Sequence, residues 1–253
     1  KQIGDVRAAI IATAGDDEGK KEGLELLTAQ MEDWYSHLVH LSWRLASDQR
    51  KTPKTINVHT IYLHGLSVGM VSSSPLFDQI LSLYLDRGWP VVSFNGSAGQ
   101  SAAKDSKPGD AWPGAKWYMD EFRERGISAG KLIPTGPGFH TMMEADEFVA
   151  LCKKGKWKNA VVVSVPYHSI RSMLCMVKAM EKANYWLRIH FFSAKETNWQ
   201  GELVGSQGTN QTSSMLGELP GEVQRIGKYA GGFAVTLEEL EVYLDRRDAG
   251  EFD

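Results

Sequence analysis

The run Ser164-Val165-Pro166-Tyr167-His168-Ser169-Ile170-Arg171 gathers a hydroxyl, a phenol, an imidazole and a guanidinium into one short segment. It follows an unbroken apolar stretch, Ala160 to Val165, so it reads as the end of a buried strand passing into the start of a helix. Helix N-termini favour anions, because unpaired amides and aligned peptide dipoles leave partial positive charge there. His168 and Arg171 lie three residues apart and share a helix face. The imidazole can then donate to a phosphate or carboxylate while the guanidinium makes a bidentate contact. A His and an Arg in a first helical turn also serve as a solvated surface pair or a structural cap, and the preceding strand is what favours a site.

Thr141-x-x-Glu144 is the second candidate, with two readings that stay open. As a capping box, its hydroxyl and carboxylate satisfy orphan amides. As part of a site, Glu144 orients His168 or acts as a general base. Gly65, Gly69, Gly96 and Gly99 would let the backbone approach a ligand, yet no dinucleotide fingerprint or phosphate-loop motif is complete. The absence of a Gly-x-Ser-x-Gly elbow counts against an α/β-hydrolase. His64, His140 and His168 lack an ordered ligand motif, so no metal is expected.

These side chains need a scaffold, and from Ile56 onward short β-branched runs alternate with amphipathic helices. That rhythm predicts an α/β fold, a Rossmann-like parallel sheet with helices on both faces plus N-terminal and C-terminal helices. Strands are expected over Val58 to His64, Pro90 to Phe94, Lys131 to Thr135, Ala160 to Val165 and Leu187 to Phe192. Ser74 and Pro75 would open the helix carrying Leu76 to Leu85. Ligands bind such sheets at the carboxyl ends of the strands. His64 and Gly65, Ser93 with Asn95, Gly96 and Ser97, His140 and Thr141, and Ser164 with Tyr167 are therefore expected to converge around Glu144, His168 and Arg171. Gly201 to Gly217 reads as a flexible loop, and Thr236 with Glu239 as a capping box on the last helix. Leu24, Leu27, Met31, Trp34, Leu38, Leu41 and Leu45 form one stripe of a long helix, expected to be covered by the main domain rather than by a coiled-coil partner. Pro53 would end it. One α/β domain over 1–253 is the reading, with a helical extension at about 20–50, a core at about 56–200, and a loop and closing helices over 201–253.

A net charge of -3 without a basic stripe argues against a nucleic-acid partner. Cys152 and Cys175 sit in apolar helical patterns and read as buried reduced thiols, which points to a reducing, cytoplasmic setting. No apolar run is long enough to cross a bilayer. The start at Lys1 lacks a signal-peptide core, and an upstream segment is left open.

The order of motifs resembles the bacterial YdcF/ElyC/SanA family, a domain of unknown function, from about Ile56 to Tyr229. The resemblance is carried by Ile61-Tyr62-Leu63-His64-Gly65, Val91 to Gly96, Phe122 to Ile127, Thr141-x-x-Glu144-Ala145 and Ser164-x-x-Tyr167-His168-x-x-Arg171. Trp199 and Glu222-x-x-Arg225-Ile226-x-Lys228-Tyr229 resemble its closing segment. The resemblance implies a Rossmann-like sheet with a polar cleft and a nucleotide-like ligand such as S-adenosylmethionine. It departs at His64-Gly65-Leu66 and at Ser93-Phe94-Asn95-Gly96-Ser97, where larger side chains stand beside the site. The expected ligand is a small anionic, phosphorylated or nucleotide-like molecule. Either it is hydrolysed or transferred, with His168 and Arg171 acting on it, or it is held without chemistry by a binding or regulatory module.

Overall fold

The computed structural model describes residues 8, 11–51, 56–65, 75–88, 90–101, 111–193, 198–204 and 212–252. Pro53, Leu66, Gly69, Ser74 and the middle of the Gly201 to Gly217 segment lie outside the described residues. The chain divides into two compact units, Lys1–Trp43 and Arg44–Asp253. A long helix, α1 (Glu18–Lys51), supplies most of the first unit and reaches into the second. Its apolar stripe is only partly covered. Leu38, Leu41 and Leu45 are buried, whereas Leu27 and Met31 are exposed.

The second unit is built on β1 (Thr60–Leu63), β2 (Val91–Phe94), β3 (Leu132–Pro134), β4 (Asn159–Val163) and β5 (Arg188–Phe192). All pairs are parallel and the spatial order is β3-β2-β1-β4-β5. The helices are α2 (Leu76–Asp86), α3 (Gly114–Glu124), α4 (Thr141–Gly155), α5 (Ser169–Ala183), α6 (Met215–Tyr229) and α7 (Leu237–Asp248). This is the α/β, Rossmann-like arrangement the sequence predicts. The expected strands are present but shorter at one or both ends. The long loop after β2 contains a small ribbon of Gln100–Ser101 with Ala111–Trp112. The Gly201 to Gly217 segment likewise carries Glu202–Val204 paired with Thr212–Ser214, and α6 begins at Met215.

Alternation along the strands divides the core between two faces. Ile61, Leu63, Val92, Phe94, Val161 and Val163 face one layer with Phe77 of α2 and Tyr118 and Phe122 of α3. Phe77 meets Phe122 edge-on at 4.9 Å between ring centroids. On the opposite face Tyr62 stacks on Phe148 of α4 at 4.3 Å. Cys152 and Cys175 are buried and free, and burial pushes both thiols up.

An edge strand would normally offer its backbone to further pairing. Along β5 that backbone is occupied by side chains. Ile189 N donates to the Tyr243 hydroxyl at 2.9 Å, and that hydroxyl donates to Leu187 O at 2.9 Å. Phe191 N donates to Asp48 Oδ2, and Arg247 Nη1 donates to Ile189 O. Arg247 also grips Asp48 through both terminal nitrogens, at 2.7 and 2.8 Å. The capping box of Thr236 and Glu239 starts α7, which delivers Tyr243 and Arg247 to this edge. At the opposite edge Pro134 has no N–H to offer.

The Asp48–Arg247 pair is almost fully buried. Arg247→Ala leaves the carboxylate without its partner, and chemical denaturation should show a loss of about 3 to 5 kcal/mol. A loss below about 1 kcal/mol would mean that the pair does not secure the β5 edge.

Candidate functional site

The chain order of the strands reverses between β1 and β4, so their carboxyl ends flank the crevice where such sheets hold ligands. Ser164 Oγ donates to His64 O at 3.2 Å, and His64 N donates to Val163 O at 3.0 Å. These bonds lock the two strand ends together. His64, Ser164, His168 and Arg171 are all buried there. After β4 the chain makes a short turn of 3₁₀ helix, Pro166–His168, and then enters α5.

The centre of the site is a carboxylate from α6. Glu222 Oε1 receives His168 Nδ1 at 2.8 Å and Arg171 Nε at 2.6 Å, while Oε2 receives Arg225 Nη1 at 2.8 Å. Burial opposes ionisation of Glu222, but the charges and hydrogen bonds of His168 and Arg171 hold its carboxyl well below the usual range. His168 is held below the ordinary histidine value by burial and then by Arg171, against the pull of Glu222. The consistent state is an ionised Glu222 and a neutral His168 that donates from Nδ1, leaving Nε2 as a lone-pair nitrogen. Arg171 Nη1 donates to Thr141 Oγ1 at 2.6 Å, which fixes the guanidinium plane. Two guanidiniums share one buried carboxylate, so this cluster carries an excess of positive charge.

Thr141 and Glu144 do not form the capping box. His140 is the N-cap of α4, and its Nδ1 accepts from Met143 N at 3.3 Å. The Thr141 hydroxyl is taken by Arg171, and the Glu144 carboxyl points inward. Glu144 also does not orient His168, because Glu222 does so. Instead Glu144 Oε2 faces His64 Nε2 at 3.4 Å. His64 Nδ1 is hydrogen-bonded to Ser172 Oγ, and the His64 and His168 rings lie 5.4 Å apart. Burial, followed by the charges of His168 and Arg171, holds His64 well below the ordinary histidine value. Burial pushes Glu144 up to about 7, against hydrogen bonds from Asn95 and the Gly65 backbone.

Asn95 is a clamp rather than a free ligand group. Its Nδ2 donates to Gly138 O at 2.6 Å and to Glu144 Oε1 at 3.0 Å, and its Oδ1 accepts from Gly138 N and Ser97 N. A Cβ on Gly65 would stand 2.3 Å from Glu144 Oε2, and one on Gly96 would stand 1.8 Å from Thr135 O. Glycine is required at both positions by close approach. Ser93 bonds Thr60 Oγ1 at 2.8 Å within the sheet, and Ser97 is buried behind Asn95. Tyr167 is buried in the apolar cluster that also contains Val165 and Met215, with its phenol within reach of the charges of Glu222, Arg225 and Arg171, while His140 lies at the surface. The site therefore separates into an inner group, His64, Glu144, His168 and Arg171, and a frame of Gly65, Ser93, Asn95, Gly96, Ser97, Thr141 and Ser164.

Glu222, Arg225 and Ser172 are members that residue-by-residue reading does not select. A signal existed for the first two in the spacing Glu222-x-x-Arg225, which puts opposite charges on one helix face. Ser172 lies one turn beyond His168 and had no comparable signal.

The raised Glu144 value has a stability consequence. Between about pH 4.5 and 7 the folded protein keeps a proton that the unfolded chain releases, so this group's contribution falls as pH rises through the window. Glu144→Gln removes that dependence. Its stability relative to the parent should rise by on the order of 3 kcal/mol between those limits, measured by denaturation at several pH values. Parallel pH curves for the two proteins would contradict the assignment. Comparison with protein-family models, curated proteins and solved structures finds no match to this chain.

Proposed function

We propose that this protein binds a small anionic, phosphorylated or nucleotide-like ligand at the carboxyl edge of its sheet and catalyses hydrolysis or group transfer there. One observation carries the reading: Glu222 Oε1 accepts from both His168 Nδ1 and Arg171 Nε. A single oxygen thereby sets the imidazole tautomer and the guanidinium direction together. Arg171 supplies charge to hold the anion, supported by the N-termini of α4 and α5. His168 Nε2 accepts a proton from the attacking water or hydroxyl. The likeness to the YdcF/ElyC/SanA family agrees with this class of ligand, including S-adenosylmethionine, and that ligand belongs to the same proposal.

Thermal-shift measurements with inorganic phosphate, pyrophosphate, nucleotides, sugar phosphates and S-adenosylmethionine test the binding half, because a ligand of the native state raises the melting temperature. At least one phosphorylated compound should stabilise the parent protein. Arg171→Ala should bind it about 10-fold to 100-fold more weakly, the loss of a charge-assisted contact. Once a turned-over compound is found, His168→Asn should fold and bind yet lose about 10²-fold to 10⁴-fold in rate. No shift with any compound would end the anion reading. Saturable binding without product on prolonged incubation would leave a binding module in place of an enzyme.

A further inference from the structure

The Glu222 cluster leaves unexplained a second acid–base pair in the same site. Glu144 Oε2 and His64 Nε2 are both fully enclosed, and neither has a hydrogen-bond partner of normal geometry among the described residues, although the Gly65 backbone N–H approaches the Glu144 carboxyl and the Thr141 backbone approaches His64. They face each other at 3.4 Å. An enclosed carboxyl oxygen left in this state is costly unless a proton or a ligand group completes it. The surroundings are nonetheless organised to keep it there. Asn95 holds the other oxygen, Oε1, at 3.0 Å. Gly65 and Gly138 crowd the Glu144 side chain so closely that a Cβ on either would stand within 2.6 Å of it. A carboxyl wanted only for packing would not need two glycines and an amide to admit it.

His64 gives this carboxyl a proton partner. The Ser172 hydroxyl can either donate to His64 Nδ1 or accept from it, so both neutral tautomers of His64 are compatible with the contact. In one tautomer His64 Nε2–H donates to an ionised Glu144. In the other, Nε2 accepts from a protonated Glu144. His64 stays neutral in both arrangements, so the Ser172–His64 pair can match either protonation state of Glu144, and the proton that separates the two states is exchanged with solvent.

We propose that Glu144 is the proton donor of the site: with the anion bound it carries a proton, hydrogen-bonded to His64 Nε2 in the tautomer that Ser172 accepts from, and gives it to a ligand oxygen. The proposal rests on the anion-binding reading above. A bound anion and an ionised Glu144 repel, whereas a protonated Glu144 donates a hydrogen bond instead. In hydrolysis of a phosphate ester, the water oxygen forms the new P–O bond and its proton passes to His168 Nε2. The P–O bond to the leaving group breaks with its electron pair on the leaving oxygen, which takes the proton from Glu144. Glu144 ends ionised and His168 protonated, and exchange with solvent restores both.

Pyrophosphate serves as the probe, with infrared difference spectra recorded at pH 8 on the intact protein labelled with ¹³C at glutamate carboxyl groups. Binding should produce the band of a protonated carboxyl, shifted by the label, in the parent protein and not in Glu144→Gln. The affinity for pyrophosphate should rise more steeply from pH 8 to pH 6 in the parent than in Glu144→Gln, a comparison in which the probe's own titration cancels. His64→Gln, which keeps a polar side chain at the pair, should shift the band without abolishing binding. If pyrophosphate raises the melting temperature but no such band appears, or the band persists in Glu144→Gln, the proton-donor role is overturned while anion binding stands. If pyrophosphate does not bind the parent protein, both readings fall together.

Discussion

The sharing of one buried carboxylate, Glu222, among His168, Arg171 and Arg225 is the interaction on which the site depends. An isolated carboxylate at this depth would take up a proton or destabilise the fold. Its three donors keep it ionised, and it in turn determines which nitrogen of His168 carries the hydrogen. The same bonds tie α6 to α5, so the geometry of the site and the seating of the closing helix are one problem. Because Glu222 is remote in sequence from the strand-end segment, the site is complete only where α6 is docked against the start of α5.

Around that centre the two histidine–carboxyl pairs have opposite characters. Glu222 is driven toward ionisation by cations, and Glu144 toward the neutral form by burial. Two like groups in one site, separated by their environments, is the arrangement by which a single cleft runs base and acid chemistry near neutral pH. The fold supports the separation. Glu222 arrives on α6 with two guanidiniums at hand, whereas Glu144 is lowered from α4 into a gap kept open by Gly65 and Gly138.

Much of the scaffold was legible in the sequence because hydrophobic periodicity is local. Ala160 to Val165 announced a strand buried on both faces, and the helices that follow each strand showed their apolar stripes. Strand ends were less legible, since pairing partners decide where a ladder stops. The convergence of His64, His168 and Arg171 followed from parallel topology alone. The partner of His168 did not follow, because Glu222 and Glu144 are both acidic residues in amphipathic helices and only packing chooses between them. The Thr141-x-x-Glu144 motif left a cap and a site both open, and packing chose between them for a related reason. Its spacing was right for a local cap, but Arg171 and Asn95 are stronger tertiary partners for the same side chains, and His140 took over the cap. Asn95, Ser93 and Ser164 were correctly placed at strand ends, yet their hydrogen bonds are spent on holding the frame.

The central claim is tested most directly by the tautomer of His168, read from long-range ¹H–¹⁵N correlations of the histidine rings, with Glu222→Gln as the comparison. The predicted result is a neutral ring at pH 7 with hydrogen on Nδ1 and a bare Nε2, disturbed when Glu222 is replaced. A ring carrying hydrogen on Nε2 in the parent protein, or one indifferent to the Glu222 substitution, would contradict it.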